Sequence, residues 1–397
     1  MTVLTNSISA MVPELTEWRR DFHRHPELMY DLPRTAKIVA DRLRDFGFDE
    51  VIEGVGKSGV IGALHGARGA ATDQSRRVLF RADMDALPIL EATGASHAST
   101  VEGKMHACGH DGHTVMLLGA ARHLAETRAF DGTLVFCFQP AEEGGAGAKA
   151  MMDDRMLEKF PVKGAYALHN WPGIPVGEFG VSRGPAMAAA AAFLITVVGK
   201  GSHAAEPHNA NDAIVAAAHI VTAVQTIVSR TVNPLDPAVV SITSVHGGEA
   251  FNVIPDRVQM RCNIRCFSES VTKQIEGELR RICEKTAESF RASVEISRPP
   301  TTPYPPLINH HAETDLALSA MRAVAGDDKV RDDLRPAMTS EDFAFILRET
   351  PGAYILLGNG DSAALHNPGY DFNDAAIAHG VAYWVELAKR ALPDAPR

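Results

Sequence analysis

At 397 residues, 45% of them hydrophobic and 22% charged, the chain is longer than one hydrophobic core commonly serves, so two domains are expected. Its 39 basic against 49 acidic residues leave a net charge of −10, which argues against nucleic acid or an anionic membrane as the main partner. Five scattered cysteines, an odd count, make no disulfide framework; in a cytoplasmic setting such thiols stay reduced and free to ligate metal.

In chain order, Met1 to Ala10 lacks the basic-then-apolar pattern of a secretion signal. Apolar residues at helical spacing predict helices over Glu14–His25 (Leu15, Trp18, Phe22) and Arg34–Phe46 (Ile38, Val39, Leu43), with Gly47 as a stop. Strands follow at Gly59–Leu64 and Val78–Ala82, the second ending in Asp83-Met-Asp85. After the loop Met105–Thr114 come a helix (Thr114–Thr127), a buried strand (Thr133–Gln139) ending at Pro140-Ala-Glu142-Glu143, a helix (Ala148–Glu158) and a short strand (Ala165–Leu168) ending at His169. Strand alternating with helix predicts an α/β domain with a mixed, mainly parallel sheet covered by helices. Such sheets bind ligands at the carboxyl ends of their strands, and the polar clusters stand at those ends.

The pattern changes near Arg183-Gly-Pro185. From there to Ile296 the order strand, helix, strand, strand, helix, strand predicts a ferredoxin-like α+β unit. The longest apolar run, Met187–Val198, is too short to span a membrane. A Pro-rich return, a helix at Glu313–Ala325 and a strand at Ala353–Gly358 before His366 complete the chain. The expected organisation is therefore a discontinuous catalytic domain, 1–183 and 297–397, with a lid domain, 184–296, inserted into it.

Met105-His-Ala-Cys108-Gly-His110-Asp-Gly-His113-Thr packs a thiol and three imidazoles around two glycines. Thiolate and imidazole together suit zinc-type ions, although a thiol–imidazole catalytic pair or a polar capping loop would use the same letters. Adding the other strand-end groups gives Cys108, His110, Glu143, His169 and His366, with Glu142 beside Glu143. Five protein ligands exceed one catalytic tetrahedral ion and suggest two, about 3.5–4 Å apart. A carboxylate that is not itself a ligand would then move the proton of the attacking water.

These segments, with Ser340-Glu-Asp342-Phe, Leu365-His366 and the opening Arg20-Asp-Phe-His23-Arg-His25-Pro-Glu27, resemble the M20-type metallopeptidases over nearly the whole chain, and most closely the amidohydrolase branch of hippurate and auxin–amino-acid conjugate hydrolases. The resemblance implies a centre of two divalent ions (zinc, manganese, cobalt or nickel) on Cys108, His110, Glu143, His169 and His366, with Glu142 as general base and Asp85 orienting a ligand. Asp83 departs from the wider superfamily, which often has a His ligand there. In the lid, His203 resembles a residue that stabilises the oxyanion, often in a partner subunit's site. Asn252 matches a substrate-contacting group and Arg265 one that pairs with the substrate carboxylate, a job suited to a guanidinium fork, and the two are expected to grip the amino-acid carboxylate together. The implied activity is hydrolysis of the amide of N-acyl amino acids, a small-molecule substrate, by a homodimer or tetramer assembled through the lid. A peptidase or dipeptidase of the same superfamily, a Cys108 thiol hydrolase and a non-catalytic binder are the alternatives. In structural readings, His203 is a polar turn residue, Arg265 a surface ion-pair partner, His106 and His113 scaffold, and Cys137, Cys262, Cys266 and Cys283 core.

Overall fold

The computed structural model describes residues 6–69 and 73–394, so the first half of the segment inspected for a secretion signal lies outside the described residues. The chain divides into two compact units, Met1–Ala186 with Ile308–Arg335 and Asp342–Arg397, and Met187–Leu307 with Pro336–Glu341. The expected inserted domain ended at 296; the second unit instead runs on through the Pro-rich stretch to Leu307 and takes in a short later segment. Backbone pairing explains this, because Tyr304 forms a bridge with Ala190 inside that unit.

In the first unit, helices α1 (Asn6–Arg24) and α2 (Pro33–Asp45) precede strands β1 (Glu50–Val55), β2 (Gly59–His65) and β3 (Arg77–Asp83). Then come α3 (His110–Thr127), β4 (Thr133–Gln139), α4 (Gly147–Asp153), α5 (Met156–Lys159), β5 (Gly164–Pro172) and β6 (Phe179–Gly180). The sheet runs β1-β2-β4-β3-β5, and continues through the late strand Gly352–Gly360 to β6 and Val330–Arg331. β4, β3, β5 and the late strand are mutually parallel, while β1 and β2 are antiparallel additions at one edge. Every residue of β4 is buried, as its unbroken apolar run requires of a strand covered on both faces. Phe80, Phe136 and Trp384 fill the core around it.

Several local features depart from expectation, among them two unforeseen helices, Ala344–Glu349 and Ile377–Ala391. β1 was not foreseen; it is an edge strand with only Val55 buried, so it carries no alternating apolar signature. The helix expected over Ala148–Glu158 is broken into α4 and α5 by Arg155, whose φ is +64°. The helix expected from Thr114 starts at His110, because Gly109 turns the chain with φ +86°. A Cβ there would stand 2.3 Å from the Asn170 amide and 2.5 Å from the Tyr370 hydroxyl, so only glycine fits.

In the second unit, β7 (Ala189–Val198), a short β8 (Ser202–His203), α6 (Ala213–Ala223), β9 (Ala238–His246), a short β10 (Val253–Ile254), β11 (Arg257–Cys266), α7 (Glu269–Ser289) and β12 (Ser293–Ser297) follow one another. The four long strands form an antiparallel sheet in the order β9-β11-β7-β12. This is the split βαβ arrangement expected from the strand and helix order. β7 alternates strictly between buried and half-buried residues, and its buried set (Ala191, Phe193, Ile195, Val197) packs with Ala216, Ile220, Ile275 and Leu279 of the two helices. Ala213–Thr231 is apolar and long enough by composition to cross a membrane, but its Ala213, Ala216, Ala217, Ile220 and Ile227 are buried in this core. Cys262, Cys266 and Cys283 lie in the same core and Cys137 in that of β4; all five cysteines are free thiols.

Candidate metal centre and its surroundings

The parallel strands bring their carboxyl ends to one side of the first unit, and the chemistry-bearing residues follow those ends. Asp83 closes β3 and Asp85 stands two residues beyond. Glu142 and Glu143 follow β4, and His169 lies in the second half of β5. Cys108 and His110 flank the N-terminus of α3. Ligand atoms of Cys108, His110 and His169 lie within 4.8 Å of one another, as do those of Cys108, Glu143 and His366, and those of His110, Glu142 and Glu143. The triads share members, so the five expected ligands and Glu142 form one connected cluster. Cys108 Sγ is 3.4 Å from His169 Nε2, and His366 Nε2 is 3.1 Å from Glu143 Oε1. Donors about 2.0–2.3 Å from a shared ion would be spaced much like this.

The charges inside the cluster call for a cation. Neither nitrogen of the buried His110 makes a hydrogen bond, and Glu143 Oε1 has the His366 imidazole beside it at 3.1 Å. Burial alone would lower the His110 pKa, but Asp83, Asp85 and Glu143 override it and push the imidazole up to about 10. Burial and the two glutamates hold the Cys108 thiol well above its ordinary value. A divalent ion would take the place of the His110 proton and convert Cys108 to thiolate, satisfying both at once. The residues present therefore fit the metal site that their sequence pattern suggests. They do not suit a thiol nucleophile, which needs a depressed pKa.

The supporting groups are equally defined. Asp85 accepts the backbone N–H groups of Glu142 (2.9 Å) and Glu143 (3.2 Å) and lies 3.5 Å from His110 Nδ1. It thus fixes the turn that aims both glutamates. His169 donates Nδ1–H to the Asn170 carbonyl (2.6 Å), leaving Nε2 free toward Cys108.

Asp83 is not placed as a ligand, although Asp83, His110 and His113 are close enough to form a triad. Its carboxylate accepts from Arg81 (2.7 Å) and from His113 Nδ1 (2.6 Å). His113 Nε2 accepts the Asn170 backbone N–H (2.9 Å), so both of its nitrogens are already used. The Asn170 amide in turn donates to the Cys108 carbonyl, and Tyr370 donates to the Asn170 oxygen. This chain of bonds, which sequence reasoning reduced to scaffold, ties β3, α3 and β5 together beneath the cluster. Arg81 extends it to Asp342 (3.1 Å), which also receives Gln139 and the Ala148 N–H. His106, by contrast, is buried with both nitrogens unbonded.

A second buried web was also missed. His23 of α1 donates to Asp111 (2.8 Å) and reaches Glu91 (3.4 Å), while Arg19 pairs with Asp371 (3.1 Å), Asp374 (2.7 Å) and Asp111 (3.7 Å). The only sequence trace of it is the dense charge of Arg19 to Glu27, which names no partner.

His203 and Asn252 lie in the second unit, exposed and side by side. His203 pairs with Val253, and the Ala204 N–H donates to the Asn252 carbonyl. Arg265 does not join them. It stands eight residues along β11 from Arg257, itself beyond the ribbon carrying Asn252, which at strand rise is about 26 Å. One chain's Asn252 and Arg265 therefore cannot hold the same small carboxylate, a correction to the joint role expected for them. Arg265 is half-buried, donates Nε–H to Asn263 (2.9 Å) and makes no ion pair among the described residues, so the surface salt-bridge reading fails.

This fold is that of a known class of hydrolase. The chain belongs to peptidase family M20/M25/M40, whose model matches residues 79–390. It is 38% identical to a hippurate hydrolase of Campylobacter jejuni, covering 96% of this chain and 99% of that one. It is 36% identical to an N-acetyl-L-cysteine deacetylase of Bacillus subtilis, covering 97% and 90%. An IAA-amino acid hydrolase of Arabidopsis thaliana is also 36% identical, over 97% and 88%. Among solved structures, a dinuclear metal binding peptidase of the M20 family from Bacillus subtilis superposes with a TM-score of 0.81 at 32% identity, covering 96% and 98%.

Proposed function

We propose that this chain is a divalent-metal-dependent amidohydrolase that cleaves the amide bond of N-acyl amino acids, hippurate-like or N-acetyl compounds. The observation that carries the reading is the single connected cluster of buried Cys108, His110 and His169, half-buried Glu143 and exposed His366, with Glu142 beside them. The names of the relatives, all hydrolases of acylated amino acids, support the substrate class. Two divalent ions (zinc, manganese, cobalt or nickel) bound there would acidify a water and polarise the acyl carbonyl.

The chain's own groups do the rest. The Glu142 carboxylate takes the proton of the attacking water and delivers it to the leaving nitrogen. Asp85 keeps that carboxylate aimed through the two N–H bonds it accepts. His203 supplies a hydrogen bond to the developing oxyanion, a contribution on the order of 3 kcal/mol where such a donor is fixed. Asn252 contacts the substrate and Arg265 its carboxylate. Since one chain presents these two far apart, we assign them to different copies in a homodimer formed through the second unit. Exposed Ile214, Val215, Val245, Phe251 and Val253 offer that unit an apolar contact surface. A cytoplasmic location accords with five unpaired thiols.

The test is hydrolysis of N-benzoyl and N-acetyl amino acids by the purified protein. Activity should disappear with chelator, return with divalent ions and withstand brief thiol alkylation of the metal-loaded enzyme. Activity unaffected by metal removal refutes the reading. Preference for substrates with a free α-amine would instead indicate a dipeptidase or aminopeptidase.

A further inference from the structure

The turn between β1 and β2 holds a cation that the reaction described above does not use. β2 is antiparallel to β4, with Val60 opposite Phe138, so this turn lies at the same end of the sheet as the Glu142–Glu143 turn that follows β4. Gly56 donates its N–H to Asp154 (2.6 Å), which fixes the turn. The next residue, Lys57, adopts φ +79°, a left-handed conformation in which glycine is the usual occupant. A lysine kept there at conformational cost invites a functional explanation.

The Lys57 ammonium lies over the face of the Tyr30 ring, 4.0 Å from its centroid. It has no ion-pair partner among the described residues, in a chain with a surplus of carboxylates. Tyr30 donates its hydroxyl to the Gly145 carbonyl (2.7 Å), two residues beyond Glu143. That junction is tight: a Cβ on Gly145 would stand 2.9 Å from Met29 Cε and 2.7 Å from Ala141 Cβ. Met29, Ala141 and Ala146 around it also have positive φ. The ring is thus a rigid bracket, one end on the glutamate turn and one face under an unpaired ammonium. One ring, one hydrogen bond and one cation–π contact place that ammonium within about 10 Å of the Gly145 carbonyl, on the turn that carries Glu142 and Glu143.

We propose that Lys57 is an anchor for a carboxylate of the substrate, held on Tyr30 at the rim of the metal cluster. This rests on the amidohydrolase reading. Two carboxylates are candidates: the α-carboxylate of the amino acid, in which case Lys57 takes the role assigned above to Arg265, or a distal carboxylate on a dicarboxylic acyl group.

The experiment compares wild type, Lys57→Met and Lys57→Arg in the metal-loaded full-length enzyme, with N-acetyl, N-benzoyl and N-succinyl amino acids as substrates. Lys57→Met keeps the stem over Tyr30 and should raise KM about tenfold with kcat within twofold, while Lys57→Arg restores most of the loss. Raising sodium chloride from 0.05 to 0.5 M should raise KM for wild type and leave Lys57→Met nearly flat. An equal rise for all three substrates identifies the α-carboxylate; a rise confined to the N-succinyl compound identifies the distal one. Unchanged KM for every substrate, a fall in kcat alone, or failure of arginine to restore overturns the proposal. Absence of turnover by wild type on all three refutes the amidohydrolase reading itself, and the anchor with it.

Discussion

The buried His23 links the fold to pH in a way that can be measured. Burial by itself would lower its pKa, but the hydrogen bond and charge of Asp111, helped by Glu91, raise it from 6.5 to about 9. A pKa raised on folding means the folded state binds the proton more tightly. The stabilisation is therefore fully present below pH 6.5 and is lost as pH rises through 9. A shift of that size corresponds to roughly 3 kcal/mol, since each unit is worth about 1.4. His23→Gln keeps one hydrogen bond to a carboxylate but cannot titrate. Urea unfolding followed by tryptophan fluorescence, with Trp18 on the same helix, would compare the two proteins between pH 6 and 10. Chelator should be present throughout, because Asp111 adjoins His110 and a bound cation would add its own linkage. The stability gap should narrow by about 3 kcal/mol between pH 6.5 and 9.5. Parallel curves, with the same gap at both ends, would show that His23 is not an imidazolium held by Asp111.

Three further outcomes are expected. Glu142→Gln should retain fold and metal content while kcat falls by about 10²–10⁴, the usual worth of a general base; near-normal turnover removes its role. Arg81→Met strands Asp83 and Asp342 as buried charges and should cost about 3–5 kcal/mol in urea unfolding; a loss under about 1 kcal/mol would mean that water already screens the pair. In Gly147→Ala the new Cβ would stand 1.6 Å from the Pro140 carbonyl oxygen, and two backbone segments cannot both yield. The Glu142–Glu143 turn must shift, so kcat/KM should drop at least about tenfold, the scale set by a misplaced catalytic group; wild-type kinetics would show the turn to be more pliant than drawn.

The segments around Glu142–Glu143 and His169 were legible because each joins a buried strand to a polar end, and Met105–Thr114 because it crowds a thiol and three imidazoles together. Thr133–Gln139 shows this best: seven consecutive buried residues carry the chain directly to Glu142. The second unit was legible from strand and helix order, which Ala238–His246 and the alternation in β7 illustrate. What stayed hidden was pairing between distant residues. Nothing near Asp83 in sequence says that His113, 30 residues on, will take one of its oxygens, and nothing near His23 indicates Asp111. Joint roles were the weakest inference, since Asn252 and Arg265 are 13 positions apart yet stand at opposite ends of one strand and its ribbon. Extended backbone carries residues apart as fast as any conformation can.

The central claim is that Cys108, His110, Glu143, His169 and His366 form one bed for two cations. Anomalous diffraction from crystals grown with zinc or manganese tests it most directly. Two peaks about 3.5–4 Å apart, between those five side chains and beside Glu142, are the predicted result. Peaks elsewhere, a single ion held by Asp83 and His113, or no ion at saturating metal would contradict it.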